Sequence, residues 1–124
     1  ADANDITKGL PIGIIVNKYS ASAAEIFAGA MQDNNRAIIV GTSTYGKGLI
    51  QTVIPLTDGS AIKLTTAQYF RPSGSPITKS GIRPDIVIKN TESASENDRD
   101  ESIYEDLQLS EAINIMNNRL EYNH

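Results

Sequence analysis

The segment 12–41, IGIIVNKYSASAAEIFAGAMQDNNRAIIVG, decides the fold because one helix-forming stretch lies between two apolar runs. The runs 12–16 (IGIIV) and 37–40 (AIIV) are short and unbroken, as in strands that are covered on both faces. The stretch 22–34 between them is rich in helix formers, so the order strand, helix, strand predicts a βαβ unit with a parallel pair. The residues expected on the core-facing side of the helix are Ile26, Phe27, Ala30 and Met31.

A β pattern follows this unit. The run 49–56 (LIQTVIPL), the turn Asp58-Gly59 and the alternating run 60–70 (SAIKLTTAQYF) predict a hairpin or meander. The stretch 71–84 contains several Pro and Gly residues and is expected to be a loop, after which 85–89 (DIVIK) predicts another strand. The fold class expected is therefore α/β, a βαβ unit followed by a β meander.

The chain divides into three parts by composition. Its 124 residues are enough for one domain, which we assign to 1–90. The stretch 91–102 is acidic with almost no apolar content, so we expect a mobile linker. Apolar residues recur at helical spacing in 103–124, which predicts a C-terminal amphipathic helix that docks on another element.

The composition restricts the chemistry that is available. The chain has no Cys, and its only His is the last residue, His124. This excludes a cysteine nucleophile and a thiolate metal site, and it argues against a histidine-dependent triad or a His-ligated metal. We expect no metal and no cofactor, and catalysis would have to use Ser, Thr, Lys, Tyr, Asp or Glu.

The charge is unevenly distributed. Residues 1–90 carry nine Lys and Arg against six Asp and Glu, whereas 91–124 carry two against nine. The net charge of −4 is thus a property of the tail, and no basic stripe indicates nucleic-acid binding. No apolar run is long enough to predict a membrane-spanning helix, and no signal peptide is evident.

The stretch 41–47 (GTSTYGK) fits the pattern G-x-x-x-x-G-K of a phosphate-binding loop and follows a predicted strand. That chemistry needs Ser or Thr after the Lys and a helix that begins there. Gly48 occupies that position, and a β-branched run follows it. Nucleotide binding is therefore not favoured.

The junction before the first helix carries Ser22, and two interpretations are open. Ser22-x-x-Glu25 is the pattern of a capping box, in which Ser22 does no more than cap the helix. Alternatively, Ser22 is a nucleophile at the positive end of the helix dipole, where backbone amides can stabilise an oxyanion. Small neighbours, Ala21 and Ala23, leave room for a substrate.

A nucleophilic serine needs a base, and lysine is the plausible one here. A lysine can serve only where burial favours its neutral form. Lys47, between Gly46 and Gly48, follows the second strand at the sheet edge from which the helix departs, so it could face Ser22. The alternative for Lys47 is an exposed turn residue between two permissive glycines.

The stretch 17–74, from NKYSASAAEIFAG through VGTSTYGKGLIQT to TTAQYFRPSG, resembles the catalytic core of the carboxyl-terminal processing peptidases. These enzymes, also called tail-specific proteases, form serine peptidase family S41. The resemblance extends over about 11–89, including the late GIRPDI, with a shorter echo in DLQLSEAINIM. It implies an α/β fold of the crotonase and Clp-peptidase type, in which 1–90 is the C-terminal part of the catalytic core.

The resemblance also implies the roles of individual residues. Ser22 would be the nucleophile, Lys47 the general base, and Gln51 the residue that orients the lysine. The amide of Ala23 would supply one arm of the oxyanion hole. Asp33 would support the site, as Glu25 would, although an equally open alternative is that Asp33 is only a polar residue at the end of the helix. The family's third serine is replaced by Ala24, which is not the nucleophile position.

The family resemblance further implies what this chain lacks. Members are several times longer, with a PDZ domain that captures substrate C-termini and an upstream strand that supplies the other oxyanion donor. The sequence does not begin with Met, and we expect a fragment with little activity alone, from a serine endopeptidase that cleaves proteins near their C-termini. The resemblance also implies protein or peptide substrates, no nucleic acid, periplasmic or envelope location, and homo-oligomers as one option. The competing hypothesis is a non-catalytic scaffold in which Ser22 is only a helix cap.

Overall fold

The computed structural model describes residues 5–89 and 106–121, which form an α/β arrangement. It contains a three-stranded parallel sheet, a two-stranded antiparallel hairpin and two helices. This confirms the predicted fold class, including the βαβ unit. In chain order the elements are β1 (Gly13–Val16), α1 (Ala23–Asp33), β2 (Ile38–Gly41), β3 (Leu49–Pro55), β4 (Ala61–Gln68), β5 (Ile86–Val87) and α2 (Leu107–Glu121).

The parallel sheet has the order β1-β2-β5, with β2 in the centre. Ile39 and Val40 on β2 are fully buried, as expected for an unbroken apolar run. The strand β5 begins beside Asp85, whose carboxylate accepts the Ile39 amide at 2.8 Å while its own amide donates to the Ile39 carbonyl at 2.8 Å. Asp85 therefore extends the pairing of β2 with β5 by one backbone and one side-chain hydrogen bond. These bonds fix the position at which β5 joins β2.

The helix α1 buries a different face from the predicted one. Its buried residues are Glu25, Ala28 and Gly29. The prediction that Phe27 faces the core is wrong, because Phe27 is 57% exposed. A Cβ on Gly29 would lie 3.2 Å from Cδ1 of Ile82, so the helix approaches the following loop closely through its small residues. The spacing of apolar residues predicted a helix face with large side chains in the core. The face that is buried instead carries the small residues Ala28 and Gly29, which allow the helix to approach its neighbours closely.

The hairpin of β3 and β4 confirms the predicted antiparallel pair. Its register runs from Leu49 opposite Gln68 to Pro55 opposite Ala61, with a bulge between Ile50 and Gln51. The strands are almost entirely exposed. Within the described residues, nothing covers the hairpin.

The C-terminal helix α2 docks on the sheet through β1. Met116 approaches Gly13, where an added Cβ would lie 3.4 Å from its sulfur, and Gln108 donates to the Ile88 carbonyl at 2.8 Å. The acidic linker predicted at 91–102 and the first residues of the predicted helix, 103–105, lie outside the described residues. No helix in the described part of the chain has the length and apolar character needed to cross a bilayer.

Candidate active site

Ser22 lies at a sharp turn between β1 and α1. Its backbone has φ 55° and ψ −116°, a conformation that non-glycine residues rarely adopt and that costs about 1–3 kcal/mol. The preceding turn is held by Asn17, whose side chain accepts the Tyr19 amide at 2.9 Å and whose carbonyl accepts the Ser20 amide at 2.9 Å. A serine on a strained strand-to-helix turn is the geometry of a nucleophile elbow.

The predicted capping box is present at the start of α1. Ser22 and Glu25 have the reciprocal arrangement of the box, and the Glu25 carboxylate accepts the Ser22 amide at 3.0 Å. The Ser22 hydroxyl makes no regular capping hydrogen bond to the helix, and the Glu25 amide donates to the Ser22 carbonyl at 2.9 Å.

Glu25 connects the serine turn with the loop that carries Lys47. Its side chain is completely buried. Oxygen Oε2 accepts the amide of Ser22 at 3.0 Å and the amide of Lys47 at 2.8 Å. One carboxylate oxygen thus holds the backbones of the two residues proposed from the sequence as nucleophile and base.

The other Glu25 oxygen, Oε1, is also occupied. It accepts the Thr44 hydroxyl at 2.5 Å and the Gly46 amide at 2.6 Å. Burial alone would raise the pKa of Glu25, but these four hydrogen bonds outweigh burial and hold the pKa below its usual 4.5. Glu25 is therefore a buried acceptor that favours its ionised form and joins four donors from two segments of the chain.

Thr44 extends this network to the next loop. It is 5% exposed, and its hydroxyl accepts the Ile82 amide at 2.7 Å while donating to Glu25. A Cβ on Gly81 would lie 2.3 Å from the Thr44 carbonyl oxygen, so only glycine permits this approach. The loop between β2 and β3 is thereby packed against 77–82.

The side chain of Lys47 is exposed in this chain, whereas the role of general base predicted for it requires a buried lysine. The reason is local: the adjoining hairpin is uncovered, so nothing among the described residues closes over the lysine. Lys47 has no side-chain hydrogen bond within the described ranges 5–89 and 106–121. The structure brings the backbones of Ser22 and Lys47 to one carboxylate but does not bury the amine.

A cleft of about 910 Å³ opens beside the serine turn. Lys47 and Gln51 line the same cleft, and so does Ala21. Gln51 lies on β3 opposite Thr65, directly after the bulge. Ser22 is not one of the described residues that line the cleft. It lies at the edge of the cleft, next to the lining residue Ala21.

The amide of Ala23 is available to a ligand. Ala23 is the first residue of α1, and the amides that follow it, those of Ala24 and Glu25, donate to carbonyls of the turn at 3.2 and 2.9 Å. Within the described part of the chain, the Ala23 amide has no acceptor. An unpaired amide at a helix N-terminus is a suitable oxyanion donor.

Asp33 lies away from this cluster, at the opposite end of α1. It follows Ser22 by eleven residues, which corresponds to about 16 Å along the helix axis. Its carboxylate pairs with the Arg71 guanidinium and accepts the Ser73 amide at 3.0 Å. These bonds outweigh burial and lower the pKa of Asp33. Asp33 therefore anchors the 71–73 loop and does not touch the serine turn.

The sequence indicated Glu25 as a helix cap and as a supporting residue, but it did not indicate the three bonds that the side chain accepts from 44–47. Thr44 was not identified from the sequence. One sequence feature could have indicated that Glu25 is buried: it is an acidic residue among small helix residues, three positions after a serine. In the described ranges no group of His, Cys, Asp and Glu could hold a metal ion.

Comparison with known proteins identifies the family. The model of Peptidase family S41 matches residues 1–88. A carboxy-terminal-processing protease of Bartonella bacilliformis is 52% identical over 89 residues, which cover 72% of this chain and 20% of that protein. A chloroplastic C-terminal processing peptidase of Tetradesmus obliquus is 48% identical over 88 residues, covering 71% of this chain and 19% of that protein.

The similarity extends to a solved structure. The photosystem II D1 C-terminal processing protease matches with a TM-score of 0.61 and 47% sequence identity, covering 64% of this chain and 20% of that one. The chain spans about one fifth of the length of these relatives. Since the family model matches most of its residues, this chain belongs to Peptidase family S41, a family of serine-type proteases.

Proposed function

We propose that this chain carries the Ser-Lys dyad of a serine endopeptidase that cleaves protein substrates near their C-termini. The observation that supports it best is the buried Glu25 carboxylate, which accepts the amides of both Ser22 and Lys47 on one oxygen. Rigid mutual placement of nucleophile and base is what acyl transfer requires.

In this mechanism the neutral Lys47 amine accepts the proton of the Ser22 hydroxyl as Oγ attacks a peptide carbonyl carbon. The Ala23 amide donates to the oxygen that becomes negative, and Gln51 orients the amine. The resulting ammonium gives its proton to the leaving amine as the C–N bond breaks, which leaves an acyl-Ser22 ester. Water then attacks this ester with Lys47 again as base, releasing the acid and restoring the hydroxyl.

We propose that the chain has little activity by itself. Lys47 is exposed here, and one oxyanion donor is identified, the Ala23 amide. Loss of one such donor costs about 2.7–4 kcal/mol of transition-state stabilisation. The intact protein would supply the cover for Lys47, the second donor and a PDZ domain, and its location in the periplasm or envelope stays a prediction from the resemblance.

The test compares variants of the intact protein on an unstructured protein substrate at neutral pH. Ser22→Ala and Lys47→Ala should each abolish cleavage. Ser43→Ala and Lys63→Ala are matched controls, because both residues are exposed and neither lines the cleft. Circular dichroism checks that all four variants fold.

A second candidate function is a non-catalytic scaffold, which the exposed Lys47 and the capping box favour. In that case the intact protein cleaves no substrate with or without these substitutions, and Ser22→Ala lowers only its stability, by about 0.5–2 kcal/mol through loss of the cap. Cleavage by Lys47→Ala at the rate of the unchanged protein would refute the lysine base.

A further inference from the structure

Among the described residues, the lining of the cleft beside the serine turn includes no carboxylate, and Lys79 supplies positive charge there. Two of its lining residues, Lys47 and Lys79, are lysines, and none is Asp or Glu. The ion pairs found in the described residues join other groups, Arg36 with Asp5 and Arg71 with Asp33. Both carboxylate oxygens of Glu25 accept hydrogen bonds from backbone amides and from Thr44, and neither accepts one from a lysine side chain of the cleft. The cleft is therefore suited to an anionic group.

The backbone of Lys79 has a fixed position relative to the Lys47 loop. A Cβ on Gly46 would lie 2.7 Å from the Lys79 Cα, and one on Gly48 would lie 1.8 Å from the Ile77 carbonyl oxygen. Within its own loop, the hydroxyls of Thr78 and Ser80 are hydrogen-bonded to each other at 2.6 Å. Lys79 is thus an exposed ammonium on a well-anchored turn at the cleft wall.

The remaining wall is suited to peptide. Tyr45 and Leu49 line the cleft with 64% and 49% of their surface exposed, and Gln51 and Gln68 add amides that can both donate and accept. A cleft of about 910 Å³ holds a short segment rather than a folded domain. Its chemistry fits a peptide that combines apolar side chains with a carboxylate.

We propose that Lys79 is a specificity-determining residue that binds a carboxylate of the peptide substrate. This inference rests on the proposed peptidase function. The ammonium donates charge-assisted hydrogen bonds to the carboxylate and adds affinity without taking part in bond breaking. The carboxylate can belong to a Glu or Asp side chain near the cleaved bond or to the free C-terminus, and the two sources are separated below.

The experiment uses the intact protein and peptides of equal length. One peptide is neutral and amidated, one is neutral with a free C-terminus, and a set of amidated peptides carries a single Glu at successive positions around the cleaved bond. Cleavage is measured with the unchanged protein, with Lys79→Gln and Lys79→Glu, and with Lys63→Gln as the control. Peptide affinity is also measured by fluorescence anisotropy on Ser22→Ala.

We expect kcat/KM to be about three- to tenfold higher for at least one carboxylate peptide than for the neutral one, mainly through KM. Lys79→Gln should remove this advantage and leave the neutral peptide within about twofold, since only the ion pair is lost. Lys79→Glu should reverse the preference, and Lys63→Gln should change nothing. The peptide that gains, free C-terminus or internal Glu, identifies the source of the carboxylate.

The proposal is overturned if no carboxylate peptide is preferred, or if Lys79→Gln weakens neutral and acidic peptides equally. Failure of the peptidase function gives a different result, because then the unchanged protein and Ser22→Ala are equally inactive on every peptide. The anisotropy measurement decides the carboxylate preference even in that case.

Discussion

The amide of Lys47 donates a 2.8 Å hydrogen bond to Oε2 of Glu25, across 22 positions of the chain. It ties the loop after β2 to the first turn of α1. Because the same oxygen accepts the Ser22 amide, the two candidate groups share one buried reference point. Changes at Glu25 should therefore move both.

Glu25→Gln should destabilise the protein and slow its chemistry. The substitution replaces one acceptor oxygen with an NH2 group, which cannot accept the hydrogen bonds that the oxygen accepts. Leaving these buried donors without an acceptor should lower the free energy of unfolding by about 1–3 kcal/mol. Urea unfolding measures this loss, and we expect kcat for cleavage to fall by at least about tenfold, since a small displacement of the dyad suffices. Glu111→Gln on α2 is the control. Unchanged unfolding and kcat in Glu25→Gln would refute the positioning function.

Stability should fall with acid through Glu25. Its pKa in the folded state lies below the usual 4.5, so the fold favours the ionised form. The resulting stabilisation is complete above that usual value and is lost as the pH falls through the folded-state pKa. Unfolding measured from neutral pH to pH about 3 should show a steeper acid loss than in Glu25→Gln. Parallel pH curves for the two proteins would contradict this.

Gly46→Ala and Gly59→Ala separate backbone strain from close packing. The two glycines have nearly the same φ, +87° and +85°, so both substitutions should cost a similar strain of about 1–2 kcal/mol. Only at Gly46 would the new Cβ meet another group, the Thr78 carbonyl oxygen at 2.4 Å. We expect Gly46→Ala to be less stable than Gly59→Ala by a further 1–3 kcal/mol or so in urea unfolding. Equal losses of stability in the two variants would show that the loop 44–47 is not tightly packed against 77–82.

Ser22→Gly and Ser22→Ala test the strained turn. Both remove the hydroxyl, so both should lack activity if Ser22 is the nucleophile. Glycine accepts φ 55° and ψ −116° without strain, whereas alanine does not. Ser22→Gly should therefore be more stable than Ser22→Ala by about 1 kcal/mol, measured as a higher Tm. A lower Tm for the glycine variant would argue against stored strain at this position.

Periodicity predicted the elements correctly but not the faces that they bury. The two apolar runs, the helix between them and the hairpin all form where their patterns indicate them. Phe27 fails because the helix packs through Ala28 and Gly29, and a hydrophobic pattern does not record how closely two elements approach. Asp33 lies about 16 Å along the helix axis from Ser22, because the two residues are at opposite ends of α1.

The sequence alone determined the family and the order of the elements, because both are written in local residue types and in motifs such as SAS and YGKG. Tertiary structure alone decided the φ of Ser22, the burial of Glu25 and the joint attachment of Ser22 and Lys47 to one oxygen. These depend on contacts between residues far apart in the chain. A buried carboxylate becomes an ionised acceptor only when the fold brings several donors to it, and no local pattern specifies that convergence.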